Sequence, residues 1–254
     1  MRLFDRTSRE LRLTPTGRAF FEEVSPLIDN LDEIAASYRD SEPTSTVRIS
    51  VQPFFGSEFF VPRLSEFTAD HPEIDIQVST SDESAETYPA EADLAIRLFR
   101  HPPTDITSHL LVPLELAPAG SPDFKKRLVV RDHAITSDFP LIIHETQPKA
   151  WKRWSKAAGI TLPKDGKTTR LDSMIAVVRA CEQGIGAALV PVPIADLWFK
   201  HGSIVRLFDT GLTAEVSYYL LVRDSEGLDA GARRLRDWIC LLYTSDAADE
   251  CVNV

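Results

Sequence analysis

The sequence predicts an α/β fold built from two successive units, set behind a basic N-terminal segment and a long amphipathic helix. Three observations predict it. Short β-type alternations separated by helical periodicities occur twice between residues 47 and 190. An apolar seam stepping by three and four residues runs from Phe20 through Tyr38. The charge changes sign where the segment type changes, near residue 18.

A chain of 254 residues can bury a full core, and 43% hydrophobic with 26% charged residues is ordinary soluble-protein usage. The formal charge of −10 makes the molecule as a whole repel nucleic acid, so contact with DNA requires a segregated basic patch. Residues 1–18 supply one: Arg2, Arg6, Arg9, Arg12 and Arg18 stand against Asp5 and Glu10. Residues 19–45 are acidic, with Glu22, Glu23, Asp29, Asp32, Glu33, Asp40 and Glu42 against Arg39. Cys181, Cys240 and Cys251 are odd in number and form no C-x-x-C pair, which argues against a disulfide framework and a structural zinc. With no leader-like apolar region and no run of about 18 apolar residues, a cytoplasmic protein without a membrane partner is expected.

Thr14-Pro15 starts the long helix, a hydroxyl N-cap followed by proline where its missing N–H costs nothing. Phe20, Val24, Leu27, Leu31, Ile34 and Tyr38 form the seam, widened by Phe21, Ile28 and Ala35. The stripe either packs on its own domain or pairs with a second copy; the second reading, favoured by the coiled-coil spacing, predicts a homodimer or homotetramer. Pro26 bends the helix without ending it, because the seam continues in register. The polar, proline-containing residues 41–46 read as a linker.

The main domain opens with a strand over Val47, Ile49 and Val51, a turn over residues 53–57, and a helix marked by Phe60, Leu64 and Phe67 that ends near His71-Pro72. Strands follow at Ile74, Ile76 and Val78 and at residues 93–97, the grammar of a parallel sheet with helices on its faces. The second unit repeats it: a strand at 141–143, a helix around Trp151 and Trp154, and a strand at 169–171. A helix from Ser173 to Cys181, the turn Gly184-Ile185-Gly186, a strand at 187–190 and a helix at 193–199 complete it. Residues 215–223 are β-rich, and Leu228, Ala232, Leu235, Trp238, Ile239 and Leu242 give a final amphipathic helix.

Leu3-Phe4-Asp5-Arg6 and Leu11-Arg12-Leu13-Thr14-Pro15-Thr16-Gly17 resemble the end of the recognition helix, the wing and the linker-helix start of LysR-type transcription regulators. Beyond the linker the chain resembles that family's effector-binding domain, nearest the branch of glycine-cleavage and beta-lactamase regulators. The resemblance rests on Phe60-Val61-Pro62-Arg63-Leu64, His71-Pro72-Glu73-Ile74, residues 92–97, residues 151–159 and residues 184–188. It implies a two-lobed, periplasmic-binding-protein-like α/β domain at 47–242, with lobe I at about 47–118 plus 212–242 and lobe II at about 119–211. It also implies a winged helix-turn-helix remnant at 1–18 and a dimerisation helix at 15–40. In the family the helices that enter the major groove lie upstream, so the chain resembles a fragment; residues 240–254 look adapter-derived, with disorder expected over 243–254. Arg6, Arg9 and Arg12 are the DNA contacts the resemblance implies for an intact protein.

No enzyme motif is present: G-x-S-x-G, the P-loop and H-E-x-x-H are absent, Gly184-Ile185-Gly186 lacks the third glycine of a dinucleotide loop, and the six histidines show no ligand spacing. No cofactor or metal is expected. Two-lobed α/β domains take ligands at the carboxyl ends of strands, facing helix N-termini. That reasoning selects Pro53, Phe54, Phe55, Gly56 and Ser57; Ser79 and Thr80; His144 and Glu145; Asp172 and Ser173; and Gly184. Each of these polar runs suits turn chemistry or capping as well as ligand contact. Arg97 suits an effector carboxylate or a structural salt bridge. Two helix N-termini on one cleft favour a small anionic or zwitterionic effector. The expected function is a small-molecule-responsive, DNA-binding transcription regulator; a stand-alone solute-binding protein is the alternative, disfavoured by the coiled-coil helix.

Overall fold

The computed structural model describes residues 3–6, 11–21, 23–25, 27–28, 45–81, 88–89, 91–222 and 227–249, the side chains of 4–6, 11–12 and 243–249 excepted. They fall into two compact units, one made of the chain up to Ser45 with Pro72–Asp75, the other of Thr46–His71 with the chain from Ile76 onward.

In the first unit β1 (Phe4–Arg6) and β2 (Leu11–Leu13) pair antiparallel, Phe4 opposite Leu13 and Arg6 opposite Leu11. This hairpin lies in the segment that the resemblance gave to the end of the recognition helix and the wing. The Thr14 hydroxyl accepts from the Gly17 N–H at 2.9 Å, the N-cap bond expected of Thr14-Pro15. Gly17 has to be glycine, because a Cβ there would sit 2.0 Å from the Leu3 carbonyl oxygen. Residues 15–21, 23–25 and 27–28 are helical, so the helix resumes beyond Pro26. Leu31, Ile34, Tyr38 and Arg9 lie outside the described residues.

The second unit centres on a sheet ordered β11-β6-β13-β5-β3-β4, with β12 also on β6. Its strands are β3 (Ser45–Val51), β4 (Ile74–Thr80), β5 (Leu94–Phe99), β6 (Thr107–Gly120), β11 (Ala188–Val192), β12 (Val205–Arg206) and β13 (Leu212–Val222). The parallel sheet expected from the βαβ grammar is mixed: β3 and β5 are parallel, but β13 runs antiparallel to β5 and β6, and β11 antiparallel to β6. The difference lies in β6, a strand of 14 residues absent from the expected elements, whose Pro113 and Pro118 are poor strand signals. β13 pairs β6 in three registers, at 212–213, at 217–218 and at 219–222, leaving residues 214–216 between the first two.

Pro53 to Ser57, expected as a turn, are helical. Gln52 has extended dihedrals and Pro53 occupies the first turn of α1 (Pro53–Phe55), which passes through a π-helical segment (Gly56–Phe60) into α2 (Val61–Asp70). The wider π turn precedes Pro62, whose ring cannot donate a helical hydrogen bond. Gly56 is buried, and a Cβ on it would lie 2.8 Å from Val51 Cγ2, so this glycine lets the helix seat on β3.

β9 (Leu141–His144) and β10 (Thr168–Leu171) are parallel, linked by α4 (Ala150–Ala158), and α3 (Pro122–Arg127) and the hairpin of β7 (Val130–Arg131) with β8 (Ala134–Ile135) precede them. Trp151, Trp154, Phe139 and Phe124 fill the core here, and the two indoles donate to the carbonyls of Ile142 and Thr210 at 3.0 and 2.7 Å. α5 (Met174–Glu182), α6 (Asp196–Lys200) and α7 (Ala230–Asp249) follow at the places the periodicity indicated. α7 continues past Leu242 to Asp249, where disorder was expected; no glycine or proline interrupts residues 243–249, and alanine favours helix.

Candidate functional site

A cavity of about 380 Å³ lies in the second unit, floored by the long strands and closed by helix starts and strand exits. Leu114 and Leu116 of β6, Ala214, Val216 and Tyr218 of β13, Leu98 of β5 and Pro191 of β11 form its apolar floor. The period of two puts Ala214, Val216 and Tyr218 on one strand face. Two of these, Ala214 and Val216, come from the stretch between the first two registers of β13 and β6. Gln52, Pro53 and Phe54 line the cavity where α1 begins, Asp172, Ser173 and Met174 where α5 begins, and His144, Thr146 and Gln147 where β9 ends.

Both helix starts present uncommitted amides. The first helical bond of α1 runs from Gly56 N–H to Gln52 C=O, so the N–H group of Phe54 precedes it. In α5 that bond runs from Val177 to Ser173, and the Ser173 side chain makes no cap bond. The Gln52 side chain likewise does not cap α1, and its buried Oε1 has no hydrogen-bond partner. The Thr146 backbone N–H donates to His144 Nδ1 at 3.3 Å, so that nitrogen is an acceptor and the ring proton resides on Nε2.

One bond outside the cavity lining joins the π turn to α6. Trp198 of α6, only 8% exposed, donates its indole N–H to Glu58 Oε2 of the π turn at 2.7 Å, across 140 residues of sequence. Arg179 of α5 stacks over the same indole at 4.4 Å from its centroid.

Of the residues selected from sequence, Pro53, Phe54, His144, Asp172 and Ser173 line this cavity together. The others do not. Phe55 is fully buried against Phe59 and Tyr218, and Gly56 packs on Val51. Ser57 lies one turn inside the helix rather than at its start, donating to the Pro53 carbonyl at 3.0 Å. Ser79 and Thr80 end β4 away from the cavity lining, and the Glu145 N–H extends the β9–β10 pairing by donating to the Leu171 carbonyl. Gly184, at φ 75°, terminates α5 beside Ser121. Arg97 is fully buried and spends its guanidinium on the sheet: Nη1 donates to the Ser50 and Ile96 carbonyls at 2.9 and 3.0 Å, and Nη2 to Ser50 Oγ at 2.7 Å. Sequence reasoning missed Gln52, Gln147, Tyr218 and the aliphatic floor. The alternation of Ala214, Val216 and Tyr218 in a β-rich run was the available signal for the floor.

Among the described residues no group of His, Cys, Asp or Glu is arranged to hold a metal ion, and no helix is long and apolar enough to cross a membrane.

Residues 40–240 match the family model of the LysR substrate binding domain. Among curated relatives, the chain is 27% identical over 244 residues to the HTH-type transcriptional regulator PerR of Escherichia coli K12, covering 94% of this chain and 80% of that protein. It is 26% identical over 227 residues to the HTH-type transcriptional activator AmpR of Rhodobacter capsulatus, covering 88% and 75%. Among solved structures, the effector domain of AmpR from Pseudomonas aeruginosa superposes with a TM-score of 0.68 at 23% identity, over 82% of this chain and 99% of that one. The full-length Vibrio cholerae virulence activator AphB superposes with a TM-score of 0.58 at 18% identity, over 96% and 84%. The α/β domain with its mixed sheet is thus the fold of LysR regulatory domains, and the chain belongs to the LysR family of transcriptional regulators.

Proposed function

We propose that the chain senses a small molecule in the cavity of its second unit and that it performs no catalysis. The observation that carries this reading is the convergence of two helix starts, at Pro53 and at Ser173 and Met174, on one cavity of about 380 Å³ whose floor is apolar. That volume is in the range of sites for small organic ligands, and uncommitted helix amides hold polar groups without a charged side chain. The division into lobe I (about 47–118 plus 212–242) and lobe II (about 119–211) fits this reading, because the cavity lining draws on both, Pro53, Leu98 and Tyr218 from the first and His144, Ser173 and Pro191 from the second. A ligand that binds one arrangement of the halves more tightly biases it.

In the intact regulator this bias acts on DNA. The β1–β2 hairpin carries Arg6 and Arg12, with Arg9 in its connection, as phosphate contacts. The linker helix dimerises the protein through Phe20, Val24, Leu27 and the seam residues beyond them. The exposure of Phe20, Phe21, Leu27 and Ile28 supports this assignment, since a soluble helix rarely leaves such a stripe uncovered. A cytoplasmic protein fits this role.

The test is a thermal-shift screen of amino acids, small organic acids and cell-wall fragments against the wild type and Ala214→Trp, which fills the cavity from its floor. A compound that raises the melting temperature of the wild type and not of the variant supports the reading. A stabilising compound that acts equally on both places the effector site elsewhere.

A further inference from the structure

The search for an effector starts from the cavity's charge, and that charge differs from what two helix N-termini alone would give. No lysine or arginine lines the cavity; Arg97, the nearest candidate in sequence, is committed to Ser50 and Ile96. Among the described residues that line the cavity, Asp172 supplies the one carboxylate. Among the described residues the exposed side chain of Asp172 takes part in no hydrogen bond or ion pair, although it stands at the entrance to α5. A helix start contributes roughly half an elementary positive charge, so a full negative charge beside it reverses the local sign. An anionic group placed at Ser173 and Met174 would meet that carboxylate, which is exposed, so the like-charge repulsion is screened by solvent but keeps its sign. Gln52 Oε1, buried and without a hydrogen-bond partner, adds a second acceptor that calls for a donor.

We propose that Asp172 is a specificity-determining residue that selects a ligand carrying an ammonium group on an apolar body, a primary amine or a zwitterion, and rejects simple carboxylates. This rests on the reading of the cavity as the effector site. An ammonium supplies three donors and no acceptor, matching Asp172 and Gln52. The apolar body faces Leu98, Leu114, Leu116, Val216 and Met174. A zwitterion's carboxylate is left to the Phe54 amide at the start of α1, where among the described residues no carboxylate side chain lines the cavity.

Three probes with one aromatic body separate the possibilities: phenethylamine, L-phenylalanine and hydrocinnamate, titrated calorimetrically into the wild type, Asp172→Asn and Ala214→Trp. Asparagine keeps the size and the helix-start preference of aspartate, and unfolding measured in parallel verifies that the variant is folded. The wild type binds the two ammonium compounds about threefold or more tighter than hydrocinnamate, the scale of one solvent-screened charge pair. Asp172→Asn loses that margin, with hydrocinnamate unchanged or tighter. Equal or tighter binding of hydrocinnamate by the wild type, amine affinities unaltered in Asp172→Asn, or no binding of either ammonium probe overturns the proposal. Failure of the underlying reading has a different signature: probes that bind Ala214→Trp as they bind the wild type are not in the cavity.

Discussion

Replacing Glu58 by alanine removes the acceptor of the Trp198 indole and should loosen the tie between the π turn and α6. The bond is 2.7 Å long, its acceptor is a carboxylate and its donor residue is only 8% exposed. Leaving a buried N–H without an acceptor costs about 1–3 kcal/mol, and the partly exposed carboxylate places the expected loss nearer the lower end, about 1–2 kcal/mol. Arg179 still covers the ring, so α6 should remain folded. Urea unfolding of wild type, Glu58→Ala, Trp198→Phe and the double variant closes a thermodynamic cycle. Trp198→Phe should cost less than Glu58→Ala, because phenylalanine leaves no orphaned donor and frees the carboxylate toward solvent. The emission of Trp198 should also move on loss of Glu58, as its indole N–H turns to water. A coupling energy indistinguishable from zero, together with unchanged emission, would refute the idea that this bond joins the π turn to α6.

Gly56→Ala should destabilise by about 1–3 kcal/mol through overpacking against Val51, a loss read from the urea midpoint, whereas Ser57→Ala should change stability little because its hydroxyl bonds only within its own turn and to Glu58. Burial pushes the Cys181 thiol from its ordinary 9.0 up to about 12, so it should resist thiol reagents at neutral pH until the protein unfolds. The sign follows from proton counting. Above the unfolded value the native state holds a proton that the unfolded chain has lost, so this contribution is complete below about pH 9 and declines by about 1.4 kcal/mol per pH unit as pH rises toward 12. Unfolding free energies at about pH 8 and about pH 10 should therefore fall more steeply in the wild type than in Cys181→Ala. Leu27→Asp, on the 66% exposed seam position, should lower the mass seen by light scattering; an unchanged assembly would remove the linker helix as the dimer element.

Elements announced by local chemistry were legible in the sequence. Thr14-Pro15 caps its helix as read, and the strand, helix, strand, helix, strand run from Leu141 to Val192 stands where the periodicity put it. What escaped was decided by tertiary contact. Pro53, Gly56 and Ser57 together resemble a turn, but the glycine answers to Val51 packing and the proline begins a helix. β6 contains two prolines and is held by strands on both sides, a pairing that no local pattern encodes. The site divides the same way. His144, Asp172 and Ser173 follow strands, where polar residues stand out, whereas Leu114, Leu116, Ala214 and Val216 read as ordinary core because an apolar cavity floor and an apolar core use the same residues. Arg97 misled because an arginine at a strand end suggests an anion, while here Ser50 and backbone carbonyls occupy it.

The chain contains two methionines, Met1 and Met174, and only the second lines the cavity, which provides an unusually clean reporter. Protein labelled with carbon-13 at the methionine methyls can be titrated with any compound that raises its melting temperature, with Met1 as the internal control. A saturable shift of the Met174 resonance that tracks the thermal stabilisation, with Met1 unmoved, is the result expected of an effector seated between α1, α5 and β13. A compound that stabilises the protein to saturation and leaves the Met174 resonance where it was would contradict the assignment of this cavity as the effector site.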